Sequence, residues 1–163
     1  VVITGKNGSG KTTLIKEILY KGNIDIEYPD VLEEGLVELA NGLIISYVGQ
    51  ETTEIKGNIT DYCIENNLDK TLFCTILRHL DFERDQFLKN IENYSEGQKK
   101  KVLLATSLLT PAHLYIWDEP LNYIDVFSRM QIEKLILEYS PTMLFVEHDR
   151  EFCQNIATKT IEL

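Results

Sequence analysis

Residues able to hold a phosphate come first in this chain: Gly5-Lys6-Asn7-Gly8-Ser9-Gly10-Lys11-Thr12-Thr13. Gly5, Gly10, Lys11 and Thr12 match the spacing G-x-x-x-x-G-K-[ST]. Glycines at these places, Gly8 among them, let backbone N–H groups turn inward around phosphate oxygens. Lys11 would reach the β and γ phosphates, and the Thr12 hydroxyl would ligate the Mg²⁺ that bridges them. Four further clusters carry polar groups where chemistry could occur: Gly49-Gln50, Ser95-Glu96-Gly97-Gln98, Asp118-Glu119 and His148.

The elements around these clusters decide whether they can act. Val1, Val2 and Ile3 suit a buried strand, and Leu14, Ile15, Ile18 and Leu19 recur at helical spacing, so the glycine-rich loop joins strand to helix. That helix is expected to end at Gly22 as C-cap. Ile24, Ile26 and Tyr28 alternate as in a strand before Pro29. Asn41-Gly42 between two apolar runs predicts a hairpin, whose second strand delivers Gln50 to its end. Helices are expected over 58–66 and over 70–80, the second with Asp69 as N-cap, and a short one through 86–91. Ser95 and Gln98 form a capping box, which is by itself a sufficient local reason for both residues, at the start of a helix that runs through Leu109 to Pro111. Leu114 to Trp117 is a fully apolar strand leading into Asp118, and carboxylates at such a strand's C-terminal end sit where open α/β sheets bind ligands. A helix over 126–139, a strand over 142–146 ending in Glu147-His148-Asp149, a helix over 150–157 and a last strand over 159–163 complete the pattern. Alternating strands and helices imply an α/β fold with a mostly parallel sheet.

With 163 residues the chain is long enough for one domain with a real core. Its net charge of −10 argues against nucleic-acid binding through the bulk surface, which needs clustered Lys and Arg. Lys99 to Lys101 reads as a solvated helix face. No apolar run approaches the ~20 residues of a membrane span. Cys63, Cys74 and Cys153 form no CxxC pair and read as reduced thiols of a cytoplasmic protein. The first residue is Val1, inside a core strand, so the expectation is a single nucleotide-binding domain over 1–163 truncated at its N terminus, with a helical insertion over about 51–105.

Taken in order, the five clusters resemble the ATP-binding cassette (ABC) ATPases across essentially the whole chain. The resemblance implies a P-loop fold of ABC type, a mostly parallel sheet flanked by helices with a small helical subdomain. It implies ATP and Mg²⁺ as cofactors, with Gly5 to Thr13 as the phosphate loop. Thr12, Gln50 and Asp118 would hold the metal, Glu119 would be the general base, and Gln50 would help to order the attacking water. His148 would contact the γ phosphate, and Asp125 matches the D-loop aspartate. Ser95, Gly97 and Gln98 belong to the signature, which acts in trans on ATP held by a second cassette, so one cassette is half an enzyme. Glu96 departs from the family's usual glycine and brings a carboxylate to an anion-binding helix end.

Within the family, Asp118-Glu119-Pro120-Leu121-Asn122-Tyr123-Ile124-Asp125 resembles the ABC-F class, in particular the second cassette of antibiotic-resistance proteins that protect the ribosome. That resemblance implies a cytoplasmic, nucleotide-gated clamp that meets the ribosome through regions outside this stretch. The alternatives are the nucleotide-binding subunit of an ABC transporter and, from Glu96, a nucleotide switch with little turnover.

Overall fold

The computed structural model describes residues 1–25, 37–52 and 55–163. Five strands form one sheet in the order β2-β3-β4-β1-β5, with β1 at Val2–Thr4, β2 at Ile45–Val48, β3 at Leu114–Asp118, β4 at Met143–Val146 and β5 at Thr160–Glu162. β4 runs parallel to both β1 and β3, with Val2 opposite Phe145 and Asp118 opposite Val146. β5 lies parallel to β1 at the edge. Parallel strands buried on both faces are near-continuous apolar runs, as Ile116, Trp117, Phe145 and Val146 show. Their C-terminal ends therefore share one side of the sheet, and each of β1, β3 and β4 runs directly into a polar cluster named above.

The chain divides into two compact units, residues 1–47 with 111–119 and 141–163, and residues 48–110 with 120–140. The first is built on the sheet. Ile3, Ile15, Leu19, Ile45, Ile116 and Val146 make its core, with α1 (Lys11–Lys21) supplying Ile15 and Leu19. α1 ends as the sequence implied at Gly22, but the left-handed residue is Asn23, at φ 57°. Asn23 N–H donates to the Tyr20 carbonyl and Ile24 N–H to that of Leu19, a Schellman motif. Gly22 is needed for space instead, since a Cβ there would come within 2.6 Å of Ile45 Cδ1.

The expected hairpin does not form. Asn41 and Gly42 do make a turn, with Leu43 N–H on the Ala40 carbonyl, yet residues 37–40 are not a strand. Ile44 bonds to the segment leading into β3 instead: its N–H donates to His113 Nδ1, and its carbonyl accepts from His113 and Leu114 N–H. Leu39 and Leu43 pack against the core, so burial claims the apolar residues that a local ladder would have used. The strand expected over 24–28 lies outside the described residues apart from Ile24 and Asp25.

The second unit is mostly helical. α2 (Ile59–Glu65), α3 (Lys70–His79), α4 (Glu96–Leu109) and α5 (Val126–Tyr139) start at Asn58, Asp69, Ser95 and Asp125, whose side chains each accept a hydrogen bond from a first-turn N–H. Ile59, Phe73, Leu77, Phe82, Ile91 and Val102 are at its core. The short helix expected over 86–91 is two separate 3₁₀ turns, Gln86–Leu88 and Ile91–Asn93. Tertiary bonds divide it: the Tyr94 hydroxyl donates to the Gln86 carbonyl, and Ile91 N–H to that of Gly57. In the first unit, α6 (Arg150–Ile156) is capped by Asp149 and packs Phe152 edge-on to Phe145.

Candidate functional site

In the sheet unit the phosphate loop follows β1. Gly10 has a φ of 95°, which a glycine adopts without strain, and it serves as N-cap of α1 without a side-chain cap. The first turn of α1 holds no acidic residue, so its N–H groups present positive potential to the loop. Gly5 is required by proximity: a Cβ there would lie 2.5 Å from the Leu163 carbonyl oxygen and 2.6 Å from Ser9 Oγ. Lys11, at the other end of the loop, is buried, and its Nζ donates to the carbonyls of Gly5 (3.0 Å) and Lys6 (2.8 Å). Lys6, Asn7 and Gly8 are exposed, while Thr12 and Thr13 are half-buried in the first turn of α1. Ser9 Oγ is buried with no hydrogen-bond partner among the described residues. An orphaned hydroxyl, a buried ammonium and an uncapped helix start lie within one loop of nine residues, and that donor set fits a polyphosphate.

Asp118 ends β3 and is 1% exposed. Its charge, after burial itself, pushes the Tyr47 hydroxyl up to about 12, so that phenol stays protonated beside it. A buried carboxylate together with the Thr12 hydroxyl is an all-oxygen set suited to a hard divalent cation. Glu119 follows in the left-handed region at φ 49°, a conformation that costs roughly 1 kcal/mol for a residue with a Cβ. Its N–H bonds the Val146 carbonyl, which fixes this backbone at the end of β4. Glu119 Oε1 lies 3.4 Å from His148 Nε2. The His148 backbone is set by Glu147, whose buried Oε1 accepts from the N–H groups of His148 (2.7 Å) and Asp149 (3.2 Å). The sheet unit therefore brings together the loop, Asp118, Glu119 and His148 at the strand ends.

The helical unit holds Gln50, the signature residues and Asp125. Both capping-box bonds are present: Gln98 N–H donates to Ser95 Oγ (3.3 Å), and Ser95 N–H to Gln98 Oε1 (2.9 Å). Gly97 allows a close approach, because a Cβ would meet the Tyr123 carbonyl oxygen at 2.5 Å. The Glu96 carboxylate accepts from the Thr52 hydroxyl and pairs with Lys99 at 3.2 Å. Those two partners, Thr52 first, hold it below the usual glutamate range. Gln50, Glu51, Thr52, Glu96, Asn122 and Tyr123 line a groove of about 350 Å³. Burial pushes the Asp125 carboxyl up, but bonds from Lys101 and from the Ser128 N–H and hydroxyl outweigh it and hold the group well below its ordinary value.

The lysine run departs from expectation. Lys99 is half-buried, Lys100 is wholly buried and Lys101 is 7% exposed, so this is not a solvated face. Lys101 Nζ lies 2.7 Å from Asp125 Oδ2, and Lys100 Nζ donates to the carbonyls of Gly49 (2.6 Å) and Gln50 (3.3 Å). A signal was available: stepping back from Leu104 by four and three residues puts Lys100 and Lys101 on the buried stripe of α4. The other residue missed, Glu147, had none, since its role depends on where β4 ends.

A phosphate loop at the end of a parallel strand, with a second strand presenting Asp118 and Glu119, defines a P-loop nucleotide-binding domain. Residues 1–122 match the family model described as ABC transporter, and the chain belongs to that family as an ATP-binding ABC cassette. Nucleotide binding and ATP hydrolysis are the activities this membership implies. Among relatives, the ATP-binding protein YdiF of Bacillus subtilis is 33% identical over 99% of the chain and 24% of its own length. The ribosome protection protein VmlR of the same organism is 34% identical over 94% of the chain and 27% of its length. Among solved structures, an archaeal ribosome recycling factor, aABCE1, in complex with the ribosomal stalk protein aP1, superposes with a TM-score of 0.75. It is 26% identical over 99% of the chain and 31% of that protein. The chain thus spans about a quarter of the length of the curated relatives it matches. Relatives of this kind are consistent with the ABC-F resemblance, and among the described residues no helix is long and apolar enough to cross a membrane.

Proposed function

We propose that this cassette belongs to a cytoplasmic ABC-F protein that acts as a nucleotide-gated clamp on the ribosome, with antibiotic resistance by ribosome protection as the physiological role. The observation that carries the reading is the run Asp118 to Asp125, supported by the likeness to a ribosome protection protein and to a ribosome recycling factor. Contact with the ribosome lies in parts of the protein outside this chain. A second cassette completes each site, with Ser95, Gly97 and Gln98 of one meeting the phosphates held by the loop of the other.

Within a site, residues Gly5 to Thr13 hold and orient the phosphates by N–H groups, with Lys11 placing a cation beside the terminal ones. Thr12, Gln50 and Asp118 are the residues that would hold Mg²⁺, which when bound neutralises charge on the β and γ oxygens. Glu119 accepts the proton of the attacking water at a carboxylate oxygen. His148, 3.4 Å from that carboxylate, orients it and senses the γ phosphate. Phosphoryl transfer is served chiefly by such positioning and charge, so backbone strain at Glu119 is consistent with a functional placement.

The test is co-sedimentation of the Glu119→Gln variant, expressed from its complete reading frame, with ribosomes. Removing the base should slow turnover by about 10²- to 10⁴-fold while ATP still binds, trapping the closed state. Pelleting with ATP and not with ADP is expected. A protein that binds ATP yet never pellets would refute the clamp and direct the search to a membrane partner.

A further inference from the structure

Lys100 is the wholly buried cation of the helical unit, and nothing in the chemistry above uses it. Its Nζ reaches 51 residues back along the chain to the Gly49 carbonyl at 2.6 Å, and to that of Gln50 at 3.3 Å. The lysines on either side face carboxylates, Lys99 that of Glu96 and Lys101 that of Asp125. We propose that Lys100 is a positioning residue for Gln50, a strut that fixes the turn at Gly49 and Gln50 to the signature helix α4. This rests on the reading of the chain as an ATPase cassette in which Gln50 serves the metal and the water.

Burying an ammonium is costly unless its protons are bonded, and an apolar side chain would fill the same space without that cost. The lysine is therefore explained by what it bonds. Gly49 and Gln50 follow directly after β2, where the strand's ladder has ended and backbone carbonyls need new donors. A single side chain supplies both of them. Its own base is firm, because the next turn of α4 places Val102, Leu104 and Ala105 in buried positions. Any shift of α4 is thus passed to the Gln50 backbone through a short, charge-assisted link. The capping-box residues Ser95 and Gln98 start the same helix, so one rigid rod carries both the signature and the anchor of Gln50.

The experiment combines hydrogen exchange and ATPase kinetics on the protein expressed from its complete reading frame, as wild type, Lys100→Met, Lys100→Arg, Gln50→Ala and the Lys100→Met/Gln50→Ala double variant. Lys100→Met should raise amide exchange over residues 48–52 while α2 and α3 keep their protection. Turnover at saturating ATP should fall about tenfold with KM for ATP altered less than about twofold, the pattern of a lost orientation and not of lost binding. Lys100→Arg should restore much of both. The double variant should be no slower than Gln50→Ala, because the strut acts only through that residue. Should Lys100→Met not fold, Lys100→Gln, which keeps an amide donor on a shorter arm, replaces it with the same readouts. Unchanged exchange over 48–52, unchanged turnover despite raised exchange, or rate losses that multiply in the double variant would each overturn the proposal. A folded wild type with no turnover would instead overturn the ATPase reading, and the exchange data would still decide whether Lys100 holds the turn.

Discussion

Two buried lysines stiffen two loops of this molecule in the same chemical way and over different distances. Lys11 donates to carbonyls five and six residues before it, while Lys100 donates to carbonyls 50 and 51 residues before it. In both cases an ammonium gathers backbone oxygens that no regular element satisfies. The local version is complete once the strand, loop and helix are made. Its long-range counterpart exists only once the turn at Gly49 and Gln50 lies against α4 within the helical unit. A short-range strut can be written as a motif, and a long-range one cannot.

The sharpest way to break this comparison is to remove the local lysine. Lys11→Met should weaken MgATP binding about 100-fold, as expected for loss of a buried, charge-assisted contact to phosphate, measured by calorimetry. Exchange should rise over residues 4–10 and stay unchanged over 48–52, the mirror image of Lys100→Met. Raised exchange in both loops from either variant would mean that the two struts are not independent.

A smaller effect is expected at Gly97. Alanine there gains helix propensity of roughly 0.5–1 kcal/mol, but its Cβ would sit 2.5 Å from the Tyr123 carbonyl oxygen. Backbone cannot yield as a side-chain tip can, so Gly97→Ala should cost about 1–3 kcal/mol in denaturant unfolding. A neutral or stabilising result would show that the loop before α5 moves freely against α4.

The smallest effect concerns Lys101 and Asp125, the second long-range tie made by the same helix. Asp125 has a depressed folded value, so its contribution is present at neutral pH, above the ordinary carboxylate value of about 3.9, and is lost as pH falls through the folded value. Asp125→Asn keeps an oxygen to cap α5 and loses the ion pair. Because Asp125 is about half exposed, the loss should be below about 1 kcal/mol at pH 7, and the gap in Tm between the two proteins should close in acid. A gap as wide at pH 2 as at pH 7 would assign the effect to the cap.

Much of the fold was legible because its signals are local. The end of β1, the start of α1 and all four side-chain caps of the helical unit follow from residues within one turn of each other. β3 and β4 were legible as apolar runs long enough for buried parallel strands. The misreadings share one cause. Asn41-Gly42 made its turn, but Ile44 found better partners at His113 and Leu114. The stretch over 86–91 had helical composition, but bonds from Tyr94 and to Gly57 divided it.

The candidate site divides along the same line. Residue types and spacing determined the phosphate loop, the carboxylate pair after β3, the histidine after β4 and the capping box, since each is a local arrangement whose chemistry is written in a few neighbouring side chains. Only the tertiary structure decided which groups Lys100 and Lys101 bond, that Glu96 turns to Thr52 and Lys99, that Glu119 takes a left-handed backbone, and that Glu147 sets the loop of His148. The physical reason is that a charge on a helix reads as solvated until the partner that desolvates it is known. Here the partners of Lys100 and Lys101, Gly49 and Asp125, lie 51 and 24 residues away along the chain and meet them only in the folded helical unit.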